Sequence, residues 1–268
     1  MTVETPQSFV TKQECDKLAF QNGFRRTHGE ADGWRHYTST TAQGSIWLAV
    51  EQTGNWLLSI DHAGVLAEIG LEVSDADGPG LACFRFTSLT ALYAIMPRLY
   101  ELAVSLPYAP LQEFLHRTKR MPKTTEAERL VVQRVGQGIF RDRLITYWQS
   151  SCPLTGITDN ALLRASHIKP WKDCKSDEDR MDVHNGLLLS ALWDAAFDRG
   201  LVTFDDGGCP QYSIRLSKAA TAELRWQSPI RLTDKHRARL EWHRSEVFEK
   251  GAAVSGSASG WQAAPSTG

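Results

Sequence analysis

The stretch from Cys152 to Asp205 holds four side chains whose types and spacing could do chemistry. His167 is followed 18 residues later by Asn185, and then by Asp194 and Asp198. Hydrolysis of a phosphodiester bond requires a base that activates water and a cation that stabilises charge on the phosphate oxygens. Imidazole titrates near neutrality and carboxylates bind hard cations, so these residues match both tasks. The pattern suggests a single-metal phosphodiesterase site.

The two aspartates are expected to share one face of a helix. They lie four residues apart in Leu187–Asp198, a segment with helical spacing. Two acids at that spacing repel each other unless a cation or a base lies between them, which favours a metal or an arginine partner. Asn185 lies where a loop enters this predicted helix, and its amide can donate and accept hydrogen bonds, so it suits holding the loop in place.

Several motifs in the second half resemble the HNH endonuclease family, most closely its restriction endonuclease branch. They are Ser166-His-Ile-Lys-Pro-Trp171, the order His, Asn, Asp, and Leu192-Trp-Asp194 followed by Phe197-Asp198. Three further stretches resemble sequences that accompany this branch: Arg134-Val-Gly-Gln-Gly-Ile-Phe-Arg141, Cys152-Pro-Leu-Thr-Gly156 and Trp242-His-Arg244. The resemblance spans roughly residues 125–250.

The resemblance implies a β-hairpin followed by a helix around one divalent metal. It assigns His167 as the general base, Asn185 as the residue that holds the loop, and Asp194 as a metal ligand. Ser166 stands where the family often has an aspartate ligand, and Asp194 stands in place of the last histidine or asparagine. Ser166 would then bind weakly or through water, and Asp198 would supply the missing oxygen. Such an all-oxygen set favours Mg²⁺ or Mn²⁺ over Zn²⁺.

Two alternatives for the site stay open at this level. His184, beside Asn185, is a second candidate for the base. A zinc site formed by Cys152 with Cys174 or Cys209 is a further alternative, although the five cysteines include no Cys-x-x-Cys pair. That pattern also argues against a disulfide framework.

Basic residues near the predicted site could bind DNA phosphates. Lys169, Lys172 and Arg199 flank it, and Arg141 lies on a predicted helix with three other arginines. The net charge is −1, but residues 120–268 hold 21 of the 30 Lys and Arg residues against 18 of the 31 Asp and Glu residues. A polyanion partner should therefore meet the second half of the chain, although each charge alone is more often simply solvated.

We expect an α+β protein in which a small N-terminal α+β domain precedes a C-terminal ββα-metal nuclease domain with flanking helices. The predicted ranges are a first domain at 1–115, a basic linker at 116–124, a nuclease domain at 125–250 and a disordered tail at 251–268. The first domain is expected to select the target or mediate assembly. Its aromatic residues could read a base, although core packing is the commoner role: Trp34, Tyr37, Trp47 and Trp56.

The predicted elements follow from hydrophobic spacing and from turn residues. Helices are expected from a capping box at Thr11 to Asn22, at 89–105, at 125–149 with a break at the glycines 136 and 138, at 187–198 and at 233–248. Strands are expected at 34–38, 45–51, 56–60, 82–86, 201–204 and 212–216, with another just before His167.

The leading hypothesis is a metal-dependent DNA endonuclease that restricts foreign or base-modified double-stranded DNA. A single metal centre cuts one strand, so double-strand cleavage would require a homodimer or two successive events. The alternatives are a non-catalytic DNA-binding or protein-binding protein with a nuclease-like fold, and a toxin-type effector nuclease. The sequence has no run of about 18 apolar residues and no signal-like N-terminus, so no membrane partner and a cytoplasmic location are expected.

Overall fold

A computed structural model describes residues 2–248, so the predicted tail at 251–268 lies outside the described residues. The predicted α+β class is confirmed. The helices are α1 (Phe9–Gln21), α2 (Ala63–Glu68), α3 (Leu89–Ser105), α4 (Ala109–Thr118), α5 (Glu126–Tyr147), α6 (Asp177–Met181), α7 (Ala191–Asp198), α8 (Lys218–Glu223) and α9 (Asp234–Glu246). The strands are β1 (Arg26–Ala31), β2 (Trp34–Thr38), β3 (Ser45–Val50), β4 (Trp56–Ile60), β5 (Ala82–Phe86), β6 (Leu163–His167), β7 (Gly186–Ser190), β8 (Val202–Phe204) and β9 (Pro210–Tyr212).

The chain forms two compact units. Unit 1 comprises Met1–Ser150 and Pro170–Leu187, and unit 2 comprises Ser151–Lys169 and Leu188–Gly268. Helix α5, which the sequence assigned to the nuclease domain, packs on α3 and α4 in unit 1. The proposed functional domain at 125–250 therefore draws on residues of both units, and its bounds stay a prediction.

Unit 1 is built on a five-stranded antiparallel sheet in the order β1-β2-β3-β4-β5. Four of these strands were predicted, three of them from segments rich in aromatic and β-branched residues that polar or glycine-containing turns separate. The sequence missed β1, whose residues are polar and mostly exposed, as suits an edge strand with a register shift between Thr27 and Glu30. Helix α1 packs against β2 and β3, and α3 packs against β4 and β5.

The aromatic residues of the sheet divide between core and partial exposure. Tyr37 is fully buried and donates a hydrogen bond from its hydroxyl to Asp16 over 2.7 Å. Trp34 is buried in a cluster with Ala49 and Leu57. Trp47 and Trp56 are half-buried. The core role therefore holds for Trp34 and Tyr37.

Helix α1 begins earlier than the sequence indicated. Ser8 is the N-cap residue, and its hydroxyl accepts a hydrogen bond from the backbone N–H of Thr11. The predicted box at Thr11 is wrong, because the Thr11 hydroxyl lies 2.8 Å from that of Ser8 instead of capping a helix. The predicted end is correct: Asn22 closes the helix, and Gly23 follows with a φ of +85°.

Helix α5 is continuous, so the predicted break at its glycines is wrong. Thr125 and Glu128 form a capping box at its start. A Cβ atom at Gly136 would clash with the ring of Trp171, and it would lie 3.1 Å from the ring of Phe114. Gly136 therefore serves close packing within unit 1, whereas Gly138 faces open space.

Unit 2 holds a hairpin-like strand pair followed by a helix. Strand β6 pairs with β7, and residues 188–190 of β7 belong to this unit. Helix α7 then packs on β6 and on β8, and α9 packs on β8. The predicted helix at 187–198 is wrong for its first four residues, because they form the end of the buried strand β7. The predicted strand at 212–216 is displaced, since β9 ends at Tyr212.

Candidate active site

Strand β6 places the predicted base beside a predicted ligand. Because successive side chains of a strand point to opposite faces, Ser166 and His167 lie on opposite sides of β6. Ser166 is 2% exposed, whereas His167 is half-buried at the end of the strand. Arg164, on the same face as Ser166, is exposed and lowers the pKa of Asp194. The strand thus carries a hydroxyl and a guanidinium on one face and an imidazole on the other, within four residues.

Helix α7 brings the two aspartates to Ser166. The Ser166 hydroxyl donates a hydrogen bond to Oδ1 of Asp198 over 3.4 Å, and its proximity to Asp194 partly offsets the rise in the pKa of that carboxyl. Partial burial raises the pKa of Asp194. Partial burial also raises the pKa of Asp198, and the neighbouring Asp194 charge raises it further. The three predicted metal ligands therefore form one cluster in unit 2, which we call the carboxylate pair with Ser166.

The chemistry of this cluster fits a hard divalent cation. The Asp194 charge raises the pKa of Asp198, and a nearby positive charge would relieve this repulsion. Carboxylate and hydroxyl oxygens are the ligands that Mg²⁺ and Mn²⁺ prefer. Within residues 2–248, however, no group of three His, Cys, Asp or Glu side chains is arranged to hold a metal ion. The fit consequently rests on two carboxylates and a hydroxyl, with remaining positions open to water or substrate.

Asn185 lies in unit 1, in a short 3-10 turn at Val183–Asn185 that leads into strand β7. The sequence placed it before a helix, which is a wrong expectation. Its side chain is fully buried, and its amide donates hydrogen bonds to Sγ of Cys174 over 3.3 Å and to the carbonyl of Asp179 over 3.2 Å. Asn185 thus stabilises the folded conformation of the loop at 174–185. Its role in catalysis stays a prediction.

His184 is not available as a general base. It is 1% exposed, and its two ring nitrogens lie 2.7 Å from carboxylate oxygens of Asp182 and Glu68. Burial alone would lower its pKa, yet the hydrogen bonds to these carboxylates hold the pKa above its usual value. The Tyr147 hydroxyl donates to the other oxygen of Glu68 over 2.6 Å. His184 is therefore a buried residue that links Asp182 and Glu68 within unit 1.

His243 is a residue whose role the sequence did not assign. Its ring stacks on Phe197 with centroids 3.9 Å apart. Nε2 lies 3.2 Å from the Phe197 carbonyl, which can only accept, and Nδ1 lies 3.0 Å from the Thr203 hydroxyl. The ring is thus the neutral tautomer protonated on Nε2, and burial lowers its pKa to about 4. His243 fixes the end of α7, next to Asp198. The motif Trp242-His-Arg244 was the sequence signal for it.

The predicted phosphate-binding cations are distributed over both units. In unit 2, Lys169 lies over the ring of Trp242, with Nζ 5.6 Å from the centroid, and exposed Arg199 follows α7. In unit 1, Lys172 is exposed, and Arg141 is half-buried on α5. Arg199 lowers the pKa of Asp198, which places it close to the carboxylate pair.

The five cysteines are all free, and Cys152, Cys174 and Cys209 do not approach a zinc arrangement in the described part of the chain. Among residues 2–248, no helix combines the length and apolar character needed to cross a lipid bilayer.

Comparison with known proteins gives one family. Residues 152–205 match the family model described as HNH endonuclease. None of the curated proteins compared matches the chain. The matched range contains Ser166, His167, Asn185 and both aspartates, and it includes strand β6, strand β7 and helix α7. Residues 152–205 are therefore an HNH endonuclease region.

Proposed function

We propose that this protein is a metal-dependent DNA endonuclease that hydrolyses phosphodiester bonds. The observation that carries the proposal is the carboxylate pair with Ser166, gathered by helix α7 and strand β6 inside the matched HNH region. Carboxylates with raised pKa values that face a shared hydroxyl are a costly arrangement for a purely structural element.

His167 is the proposed general base. It is half-buried at the end of β6 and follows Ser166 directly in the sequence, so its imidazole is partly accessible. A neutral imidazole takes the proton from the attacking water. Ser166, Asp194 and Asp198 would hold Mg²⁺ or Mn²⁺. A bound divalent cation would stabilise negative charge on the phosphate oxygens.

The remaining proposed roles concern position and substrate contact. Asn185 keeps the loop at 174–185 folded through its two donated hydrogen bonds. Lys169, Lys172, Arg199 and Arg141 contact phosphates of double-stranded DNA. Arg199 is the best supported of these, because it is exposed and lies within electrostatic range of Asp198.

The biological role that we propose is restriction of foreign or base-modified DNA. Residues 1–115 would select the target or mediate assembly, and the nuclease domain would extend over 125–250. A single metal centre cuts one strand at a time, so double-strand breaks would come from a homodimer or from two successive nicks.

A second candidate is a non-catalytic DNA-binding protein that keeps the nuclease fold. It is favoured by Ser166 standing where the family often has an aspartate, and by the lack of a three-residue metal cluster of His, Cys, Asp or Glu within residues 2–248. Metal binding without cleavage would distinguish it from the enzyme.

The test is cleavage of supercoiled plasmid, unmodified or carrying 5-methylcytosine or 5-hydroxymethylcytosine, with Mg²⁺, Mn²⁺ or EDTA. The proposal expects open-circular DNA to appear first, only with a metal. Preference for a modified plasmid would support the restriction role. No cutting of any plasmid with either metal, while DNA is still bound, would replace the enzyme by the non-catalytic protein.

A further inference from the structure

We infer that a cavity of unit 2 binds one nucleotide of a DNA strand, with the phosphate at the N-terminus of helix α7 and the base on Trp226. This inference deepens the proposed function and rests on it. The cavity has a volume of about 460 Å³, within the range of sites that hold small organic groups. Its lining includes Ser190, Trp193, Arg225 and Trp226, but neither Asp194 nor Asp198.

Ser190 provides a buried donor without a protein partner. It is the N-cap residue of α7 and 6% exposed, yet its hydroxyl caps no helical N–H and hydrogen-bonds no residue within 2–248. A hydroxyl without a protein partner leaves its donor and its acceptor sites to a ligand or to water. Because Ser190 lines the cavity, a ligand bound there would reach it.

The first turn of α7 adds backbone donors at the same place. The N–H of Ala191 donates to the Leu162 carbonyl over 2.8 Å, whereas the N–H groups of Leu192 and Trp193 have no acceptor in the helix or elsewhere in the described chain. Leu192 and Trp193 also line the cavity. Two amides, a hydroxyl and the positive end of a helix dipole together suit a phosphate.

Arg225 supplies a positive charge that would attract the phosphate. Its side chain is exposed, makes no ion pair in the described chain, and donates only a 3.4 Å hydrogen bond to the Ala222 carbonyl. The segment that carries it is fixed: the Trp193 indole donates to the Arg225 carbonyl over 3.1 Å, and the Gln227 N–H donates to the Leu154 carbonyl over 2.7 Å. The guanidinium is thus held at the cavity with its terminal donors available.

Trp226 and its neighbours suit a base. The Trp226 indole is 39% exposed at the cavity, and it lies close enough to Tyr212 to affect the pKa of that phenol. Leu192, 51% exposed, lies across the same cavity. Glu223 and Gln227, also in the lining, could accept hydrogen bonds from the amino group of a base. The negative charge of Glu223 repels a free phosphate dianion more strongly than it repels a phosphodiester, which carries a single charge. A nucleotide whose base is turned out of the stacked DNA bases matches both the phosphate-binding part and the base-binding part of this site.

The experiment measures binding of a fluorescent single-stranded hexanucleotide in EDTA, where metal-dependent cleavage cannot contribute. The abasic form of the hexanucleotide and inorganic phosphate test the base and the phosphate separately. Arg225→Gln should weaken binding of both oligonucleotides about tenfold and lower the salt dependence by about one phosphate contact. Trp226→Ala should weaken binding of the normal hexanucleotide about tenfold but leave the abasic one nearly unchanged.

Ser190→Ala should weaken both oligonucleotides a few-fold without altering the circular dichroism spectrum, because this hydroxyl caps no N–H. Lys235→Gln, an exposed cation of α9 outside the cavity lining, is the matched charge control and should bind as the wild type does. Inorganic phosphate should compete only at much higher concentration than the hexanucleotide.

Unchanged binding in Arg225→Gln and Trp226→Ala, or equal affinity of wild type for normal and abasic strands, would overturn the inference. If the wild type cuts plasmid while those variants bind normally, the cavity proposal falls and the nuclease stands. If the wild type cuts nothing but the variants lose affinity, the nuclease falls and the cavity stands.

Discussion

Acid should loosen the packing of α9 in unit 2 because His243 is buried in its neutral form. Its folded pKa of about 4 lies below the 6.5 of an unfolded histidine. The unfolded chain therefore binds the proton more readily, so this contribution is fully present above pH 6.5 and is lost as pH falls towards 4. Linkage over that interval gives about 2 kcal/mol between pH 7 and pH 5, and roughly 3 kcal/mol once the pH is below 4.

The matching variant is His243→Gln, which removes the titrating ring. At pH 7 it should be less stable than wild type by about 1–3 kcal/mol, because the stack on Phe197 and two hydrogen bonds are lost. Between pH 7 and pH 5 its free energy of unfolding should fall by about 2 kcal/mol less than that of wild type, so the two curves converge.

The assay is urea denaturation followed by circular dichroism at several pH values. His116→Gln, at an exposed position of α4, is the control for loss of a histidine and should give a curve parallel to wild type. Parallel curves for His243→Gln and wild type would refute the assignment of His243 as a buried neutral residue.

Three further predictions concern packing, buried charge and the carboxylate pair. Gly136→Ala should lower the thermal midpoint, by about 1–3 kcal/mol in stability, because the added methyl group clashes within unit 1, whereas Gly138→Ala should be neutral or stabilising; equal effects would contradict the packing argument. Glu68→Gln should destabilise the protein at pH 6 by about 1–3 kcal/mol, because His184 loses a hydrogen-bonded carboxylate. Wild type should lose stability as pH rises through the elevated pKa of His184, and the variant should lose less. If the free energy of unfolding had the same pH dependence in both proteins between pH 6 and pH 9, that would argue against a charged His184. Asp194→Asn should raise the thermal midpoint in EDTA, because it removes the charge next to the second aspartate, and it should abolish stabilisation by Mg²⁺; a retained Mg²⁺ shift would exclude Asp194 as a ligand.

The sequence predicted those features that local patterns determine. Strands β2, β4 and β5 and helix α3 have the predicted bounds, since strand composition, turn residues and helical spacing are signals that act over a few residues. The gathering of Ser166, Asp194 and Asp198 followed from the spacing of the aspartates and from the family resemblance. The assigned chemistry of these residues is still a prediction.

Other features depend on residues far apart in the chain and left no local signal. Gly136 looked like a helix break because glycine is a poor helix former, but the approach of Trp171 requires it. The state of His184 depends on Glu68, 116 residues away. The strand at 186–190 looked helical because a fully buried strand has a continuous apolar run without alternation.

The central claim is tested most directly by plasmid nicking with His167→Ala, beside wild type and the His116→Gln control, in Mg²⁺ and in Mn²⁺. Removing a general base typically lowers a rate by about 10²–10⁴-fold. We predict a loss of that size in His167→Ala, with unchanged DNA binding in EDTA and a folded circular dichroism spectrum, and full activity in the control. Wild-type nicking by His167→Ala would contradict the assignment of His167 as the base and, with it, the proposed active site.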